Sequence, residues 1–411
     1  MTSTHPPAVV LGLNPNALGT VRSLRLAGID VIAVDRRPAS WRSTHTWMSS
    51  RTRACRKILL DSQAGDEELL AALRELGPTL PAPAPVLPSG DVNILFLQRH
   101  ASSLSQWFRF LVPAHEVMDT LLDKRRFHDF AVQFGVPVPL TYAPLDRSTA
   151  ADVSRRIRYP CFVKPAFRDD TWDHLFAPAK GFVAEAPEDL LRVVDRATDW
   201  NGSLLAQEII PGGDHEIYFS HLYVDQTGRL RAVWTGRKLR QLPIHFGTAT
   251  CAETTSTPEV EEYSLRLLRG LGCRGYSSFE FKRDSRDGAF RVIEPTVGRT
   301  WYPHYTGTVA GANLPALWYR DLAGLTLPEE TVRARAGVRW VDEYRDLSAA
   351  FDYRRAAELT LMQWFRSLLG TRGFALAAWR DPLPILFVGL RLVISAWNAV
   401  RRALLGRNEE A

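Results

Sequence analysis

Residues 276–300 read YSSFEFKRDSRDGAFRVIEPTVGRT, and the reading of this stretch decides the fold. Tyr276 to Lys282 alternates and is rich in aromatics, and Phe290 to Ile293 forms a second short run. Between them, Ser285-Arg286-Asp287-Gly288 carries an Asp-Gly pair, which supplies the positive φ that a tight hairpin turn needs. The stretch is therefore predicted to be a β-hairpin. That geometry sets Glu280 beside Glu294, both among apolar neighbours. Two carboxylates in such a setting repel unless a cation lies between them. Oxygen-only ligands suit Mg²⁺, which is held by one or two carboxylates together with substrate phosphates. The hairpin alone leaves two readings open: a Mg²⁺–nucleotide site, or two solvated strand acids.

Outward from the hairpin, the chain of 411 residues suits two or three domains and can bury a sizeable core. Its net charge of +6 favours anionic ligands such as nucleotides. No Lys/Arg run resembles a nucleic-acid arm, so no nucleic-acid partner is expected. Cys55, Cys161, Cys251 and Cys273 are widely spaced, which argues against a zinc site. The N-terminal residues lack a basic region followed by a long apolar run, so the expected location is cytoplasmic. Near the other end, the run Leu383 to Leu390 is too short to span a bilayer. Residues 383–405 read either as a core-packing helix or as an amphipathic helix peripheral at the inner face of a membrane.

Several further stretches carry chemistry. Residues 8–13 and Val31 to Asp35 flank a helix in a βαβ opening, without the glycine spacing of a dinucleotide fingerprint. Pro78 to Pro88 reads as an extended spacer, with a short strand at Val86 to Pro88 presenting Asp91. Tyr159-Pro-Cys-Phe-Val163 is an apolar strand ending in Lys164-Pro165, and a lysine there rarely lacks a partner. Such a point cation can neutralise nucleotide phosphates. Lys180-Gly181 sits in a polar loop, and Leu204 to Ile210 is a strand followed by Pro211-Gly212-Gly213. Arg237, Lys238 and Arg240 cluster at a strand end, as an anion site or as a solvated charge run.

Taken in order, these stretches resemble the ATP-grasp superfamily, over roughly residues 85–325. The motifs are Asp-Lys at 123–124, Val-Lys-Pro at 163–165, Gln-Glu with Pro-Gly-Gly at 207–213, and the hairpin acids. The chain looks close to carboxylate–amine ligases of the group that includes D-aspartate ligase. The resemblance implies an α+β ATP-grasp body whose antiparallel sheets clasp ATP. It spans residues 116–328, with a lid over about 140–206. A Rossmann-like α/β domain would precede it (1–115) and a helical extension follow (329–411). Lys124, Lys164 and Lys180 would then approach the phosphates. Gln207, Glu208, Ile209 and Ile210 would present the adenine edge, and Glu216 would take the ribose hydroxyls. Glu280 and Glu294 would hold Mg²⁺, with Mn²⁺ the alternative ion. Thr296 stands where the family has asparagine. Lys238 and Arg299 would be catalytic cations facing the reacting phosphate.

The implied activity is ATP-dependent joining of a carboxylate to an amine or thiol through an acyl phosphate, with release of ADP. The substrates would be small molecules, and a homodimer is compatible with the family. The competing reading is an ATP-grasp protein that binds nucleotide without catalysis, at a membrane surface in cell-envelope or polysaccharide assembly.

Overall fold

Ala8–Leu11 (β1) is apolar at all four positions and wholly buried, as a strand flanked on both sides must be. Asn14 then caps the helix Pro15–Leu26, its side chain accepting from the Ala17 amide, with proline at the first helical position. Val31–Arg36 (β2), Arg56–Leu60 (β3), Ala84–Pro88 (β4) and Phe108–Arg109 (β5) complete a parallel sheet of order β3-β2-β1-β4-β5. This computed structural model describes residues 5–38, 44–176, 179–197, 200, 202–389 and 397. The proline-rich stretch ends in a strand, as expected, which begins two residues earlier than the sequence implies. This is the buried strand β4, with Val86 facing Val9 and Leu87 facing Val10, because two apolar residues in the sheet centre outweigh the prolines around them.

A small antiparallel sheet follows, formed by Thr141–Leu145 (β6), Cys161–Pro165 (β7), Phe182–Ala184 (β8) and Leu204–Glu208 (β9), in the order β6-β9-β7-β8. The large sheet is built from Ile217–Val224 (β10), Leu230–Leu242 (β11), Thr248–Thr255 (β12), Gly275–Arg283 (β13) and Phe290–Val297 (β14). Val332–Arg333 (β15), Arg339–Val341 (β16) and Gly373–Phe374 (β17) extend it. The order is β14-β13-β10-β11-β12-β16-β17, with β15 on β11. The expected α+β body behind an α/β unit is therefore present. The segment from residue 329 onward contains the helices Glu343–Arg355 and Leu361–Leu368, yet it also supplies those three short strands.

One apolar core joins the first helix to the large sheet. Leu18 and Val21 pack in the same cluster as Phe219, Tyr223, Trp234 and Trp318. Val388 packs there too, at the start of the 383–405 segment, most of which lies outside the described residues. Among the described residues no helix is long and apolar enough to cross a membrane.

Candidate active site

The hairpin forms as read. β13 and β14 pair antiparallel with Glu280 opposite Glu294 and Ser278 opposite Thr296, and a bulge follows Glu280. Glu280 is buried and Glu294 is exposed toward a cavity of about 940 Å³ between the two antiparallel sheets. Lys124, Lys164, Lys180, Gln207, Glu208, Ile209, Ile210, Glu280, Glu294, Thr296 and Arg299 all line it. Residues spread over 175 positions of sequence thus converge on one cleft.

Each cation is delivered by local structure. Asp123 breaks the chain between the helices His115–Leu122 and Lys124–Gln133 and caps the second, accepting from the amides of Arg125 and Arg126. That break lets the Lys124 amide donate to the Ala166 carbonyl at 2.9 Å, beside the end of β7. Lys164 projects from β7 and donates to Gln207 Oε1 at 2.9 Å, and Gln207 Nε2 donates to Thr141 Oγ1 at 3.0 Å. Burial pulls the Lys164 ammonium down to about 8, with Lys124 adding to the fall and Glu294 opposing it. Burial lowers Lys124 as well. Gly181 lets the loop carrying Lys180 lie on β7, since a Cβ there would come within 2.5 Å of the Val163 carbonyl oxygen.

The segment expected to present the adenine edge leaves β9 at Glu208, whose amide donates to the Leu140 carbonyl while the Ile209 amide donates to that of Pro160. The Ile210 amide has no partner among the described residues, and Ile210 is buried on the cavity wall. The Glu208 carboxylate is spent on structure, accepting from the Leu140 amide at 2.9 Å and from Arg286 at 3.0 Å.

The buried Glu280 carboxylate divides its two oxygens. Oε1 accepts from Lys238 Nζ at 3.0 Å, whereas Oε2 has no hydrogen-bond partner among the described residues. Burial pushes this carboxyl above its usual range, with Lys238 opposing the rise and Glu294 adding to it. An orphaned oxygen, a second carboxylate directly across the ladder and the Thr296 hydroxyl form an oxygen-only donor set, which fits Mg²⁺. Among the described residues no group of three or more His, Cys, Asp or Glu side chains is arranged as a metal site, so any ion here would draw its other ligands from phosphates or water.

Two predicted residues lie off the wall. Lys238 is buried behind Glu280, bonded also to Gln241 Oε1 (3.2 Å) and the Gly247 carbonyl (3.3 Å). Its neighbours Arg237 and Arg240 pair with Glu253 and Asp346, so the three cations form no open anion site. Glu216 ends a short 3₁₀ turn and faces His215 (3.6 Å) and Arg283 (4.0 Å). Among the lining residues that were not expected, three make specific contacts. Lys282 donates to the Gly212 and Gly213 carbonyls at 2.7 and 2.6 Å. Its signal was the period of two, which sets it on the face of Glu280. Phe162 of β7 and Phe246 from the β11–β12 connection stack across the two sheets, centroids 5.2 Å apart and planes 13° apart. At the far end, Arg299 donates to both oxygens of Asp91, linking the hairpin's exit to the end of β4.

No family model matches the sequence. The chain is 21% identical over 237 residues to the D-aspartate ligase of Enterococcus faecium, 56% of each. It is 27% identical over 188 residues to the N-terminal section of the carbamoyl phosphate synthase large chain of Methanopyrus kandleri, 43% of this chain and 32% of that one. The match thus spans little more than half of the first relative and a third of the second. Among solved structures, the biotin carboxylase domain dimer of the Hydrogenobacter thermophilus 2-oxoglutarate carboxylase, in complex with MgADP, ADP and bicarbonate, superposes with a TM-score of 0.61 at 16% identity. That likeness covers 82% of this chain and 74% of that one.

Proposed function

We propose, from the premise that this chain has the ATP-grasp fold, that it is an ADP-forming ligase which activates a carboxylate with ATP and joins it to an amine. The observation that carries this reading is the paired Glu280 and Glu294, with the orphaned Glu280 oxygen, in a cleft also lined by Lys124, Lys164 and Arg299. Glu280 Oε2, Glu294 and Thr296 would hold Mg²⁺, which supplies charge neutralisation along the phosphates when bound. Lys164 and Lys124 bind and orient the phosphates, and Lys180 covers them from its loop. The Ile210 amide and the apolar walls take the adenine. A carboxylate oxygen of the substrate attacks the terminal phosphorus as the bond to ADP breaks. The amine then attacks the acyl carbon, loses its proton and expels phosphate. Arg299, held by Asp91, is placed for the charge that develops on the transferring group. Lys238 acts through Glu280, favouring its ionised form and holding Oε1 in place.

Calorimetry of ATP binding with and without Mg²⁺, on wild type and Glu294→Ala, tests the site. Wild type should bind in a Mg²⁺-dependent manner and the variant should lose that dependence. Binding that is indifferent to both Mg²⁺ and Glu294 would remove this assignment. The second reading, nucleotide binding without turnover, is favoured by the Lys238 contact that occupies one Glu280 oxygen and by Thr296 in the usual asparagine position. ADP release over a panel of carboxylates with amine or thiol acceptors separates the two.

A further inference from the structure

The helix Leu361–Leu368 has no buried residue, although it is strongly apolar. Its inner side is pinned by polar contacts. Trp364 Nε1 donates to Asp346 at 2.8 Å, and Ser367 Oγ accepts from Arg240 at 2.7 Å. At about 100° per residue, Leu361, Met362, Phe365 and Leu369 fall within one sector of roughly 100°, away from Trp364 and Ser367. These four side chains are exposed, Phe365 to 61% and Leu369 to 66%. Ten residues further on, Trp379 is 98% exposed. A row of large apolar side chains held outward by a polar anchor marks an interaction surface.

The charge around that row decides the partner. Among the described residues, 359–389 hold Arg366, Arg372 and Arg380 and no lysine, against a single acid, Asp381. Asp381 itself is buried and bonded to Arg22 and Thr52, so it screens nothing outside. Arg366 and Arg372, on and just after the helix, are both exposed. An apolar stripe with aromatics, edged by arginines without acids, is the pattern of a helix lying in the headgroup region of an anionic bilayer.

We propose that the face made by residues 361–379 docks on an anionic lipid surface, with Phe365, Leu369 and Trp379 entering the interface and Arg366 and Arg372 meeting the headgroups. This does not depend on the catalytic assignment. The test is co-sedimentation of the full chain with vesicles of phosphatidylcholine alone or mixed with phosphatidylglycerol, alongside sedimentation velocity of the free protein. Wild type should partition roughly tenfold or more in favour of the mixed vesicles, and salt should reduce that preference. The pair Phe365→Asp with Leu369→Asp should abolish partitioning. Arg366→Glu with Arg372→Glu should remove the preference for phosphatidylglycerol. Trp379→Ser, at a position too exposed to affect folding, should weaken binding to both vesicle types. Equal behaviour of wild type and all variants, or no binding by wild type, overturns the proposal. So does a wild-type dimer that Phe365→Asp with Leu369→Asp dissolves while vesicle binding is absent, since the face would then belong to a second copy.

Discussion

The two antiparallel sheets treat their cations in opposite ways. On the small sheet and its surroundings, Lys124, Lys164 and Lys180 form no ion pair among the described residues, and Lys164 donates only to the neutral amide of Gln207. On β11 of the large sheet, Arg237, Lys238 and Arg240 pair with Glu253, Glu280 and Asp346 respectively. Withdrawing a charge from water is costly unless a partner offsets it. The large sheet supplies those partners itself, so its cations belong to the architecture. Lys124 and Lys164 are partly withdrawn from water with Glu294 only as a distant offset, while Lys180 stays exposed on its loop, and a phosphate chain would supply the missing counter-charge. An uncompensated, half-buried cation is therefore a better pointer to a ligand than a dense cluster of positive charge.

The largest expected effect breaks the compensated side. Asp346 accepts from Arg240 at 2.9 and 2.7 Å, from Thr250 at 2.8 Å and from Trp364 at 2.8 Å. Asp346→Ala leaves the buried Arg240 guanidinium without its counter-charge. It should cost about 3–5 kcal/mol in urea unfolding, as removing one partner of a buried pair does. A loss below about 1 kcal/mol would mean that this pair is no more structural than a surface one.

The uncompensated side should respond in binding and not in stability. Lys164→Met should weaken ATP binding roughly 10- to 100-fold, the range for losing a hydrogen bond to a charged group, and should leave the melting temperature unchanged or higher. Its pH dependence has a definite sign. The folded-state value is depressed to about 8 from the ordinary lysine value of 10.5. The folded protein therefore binds fewer protons than the unfolded chain between these limits, and this residue adds stability as pH rises through that window. Binding is expected to move the other way. Phosphate oxygens beside Lys164 favour the ammonium, so complex formation above pH 8 takes up a proton. Affinity should fall as pH climbs past 8, by at most about tenfold per pH unit for one proton. Calorimetry in buffers of different ionisation enthalpy reads the proton uptake directly. A flat affinity between pH 7 and 9.5 in wild type would sink the assignment of Lys164 to the phosphates.

What the sequence made legible follows the range of the interaction. The hairpin was readable because its turn, its alternation and the pairing of Glu280 with Glu294 are all local. The lysine ending the buried strand β7 was readable for the same reason. The fate of Lys238 was not, because its partner stands 42 positions away and β11 could not reveal it. Glu216 was placed by its spacing alone; it closes the turn Asp214–Glu216 with Oε2 4.0 Å from Arg283 and without a hydrogen-bond partner among the described residues. The bond between Arg299 and Asp91 crosses 208 positions and joins two sheets. Strands of two or three residues, such as β15 to β17, are too short to show a period at all. The strand at Val86 to Pro88 was readable, but its first two residues were not, because Pro85 speaks for a connector and only the pairing of Ala84 and Pro85 with β5 extends the strand.

The smallest expected effect sharpens the comparison from within the large sheet. Arg237 is paired at 2.7 Å with Glu253, yet its side chain is about one-third exposed, in contrast to the buried Arg240 two strand positions on from Lys238. Glu253 also keeps a second partner, Arg339, at 3.2 Å. Arg237→Met should therefore cost only about 0–1 kcal/mol in urea unfolding, with ATP binding unchanged. The two ends of one cationic run would then differ several-fold in stability while neither touches the nucleotide. If Arg237→Met instead weakened ATP binding without a stability loss, the pairing with Glu253 would not be what occupies this side chain. The run on β11 would then regain its reading as an anion site.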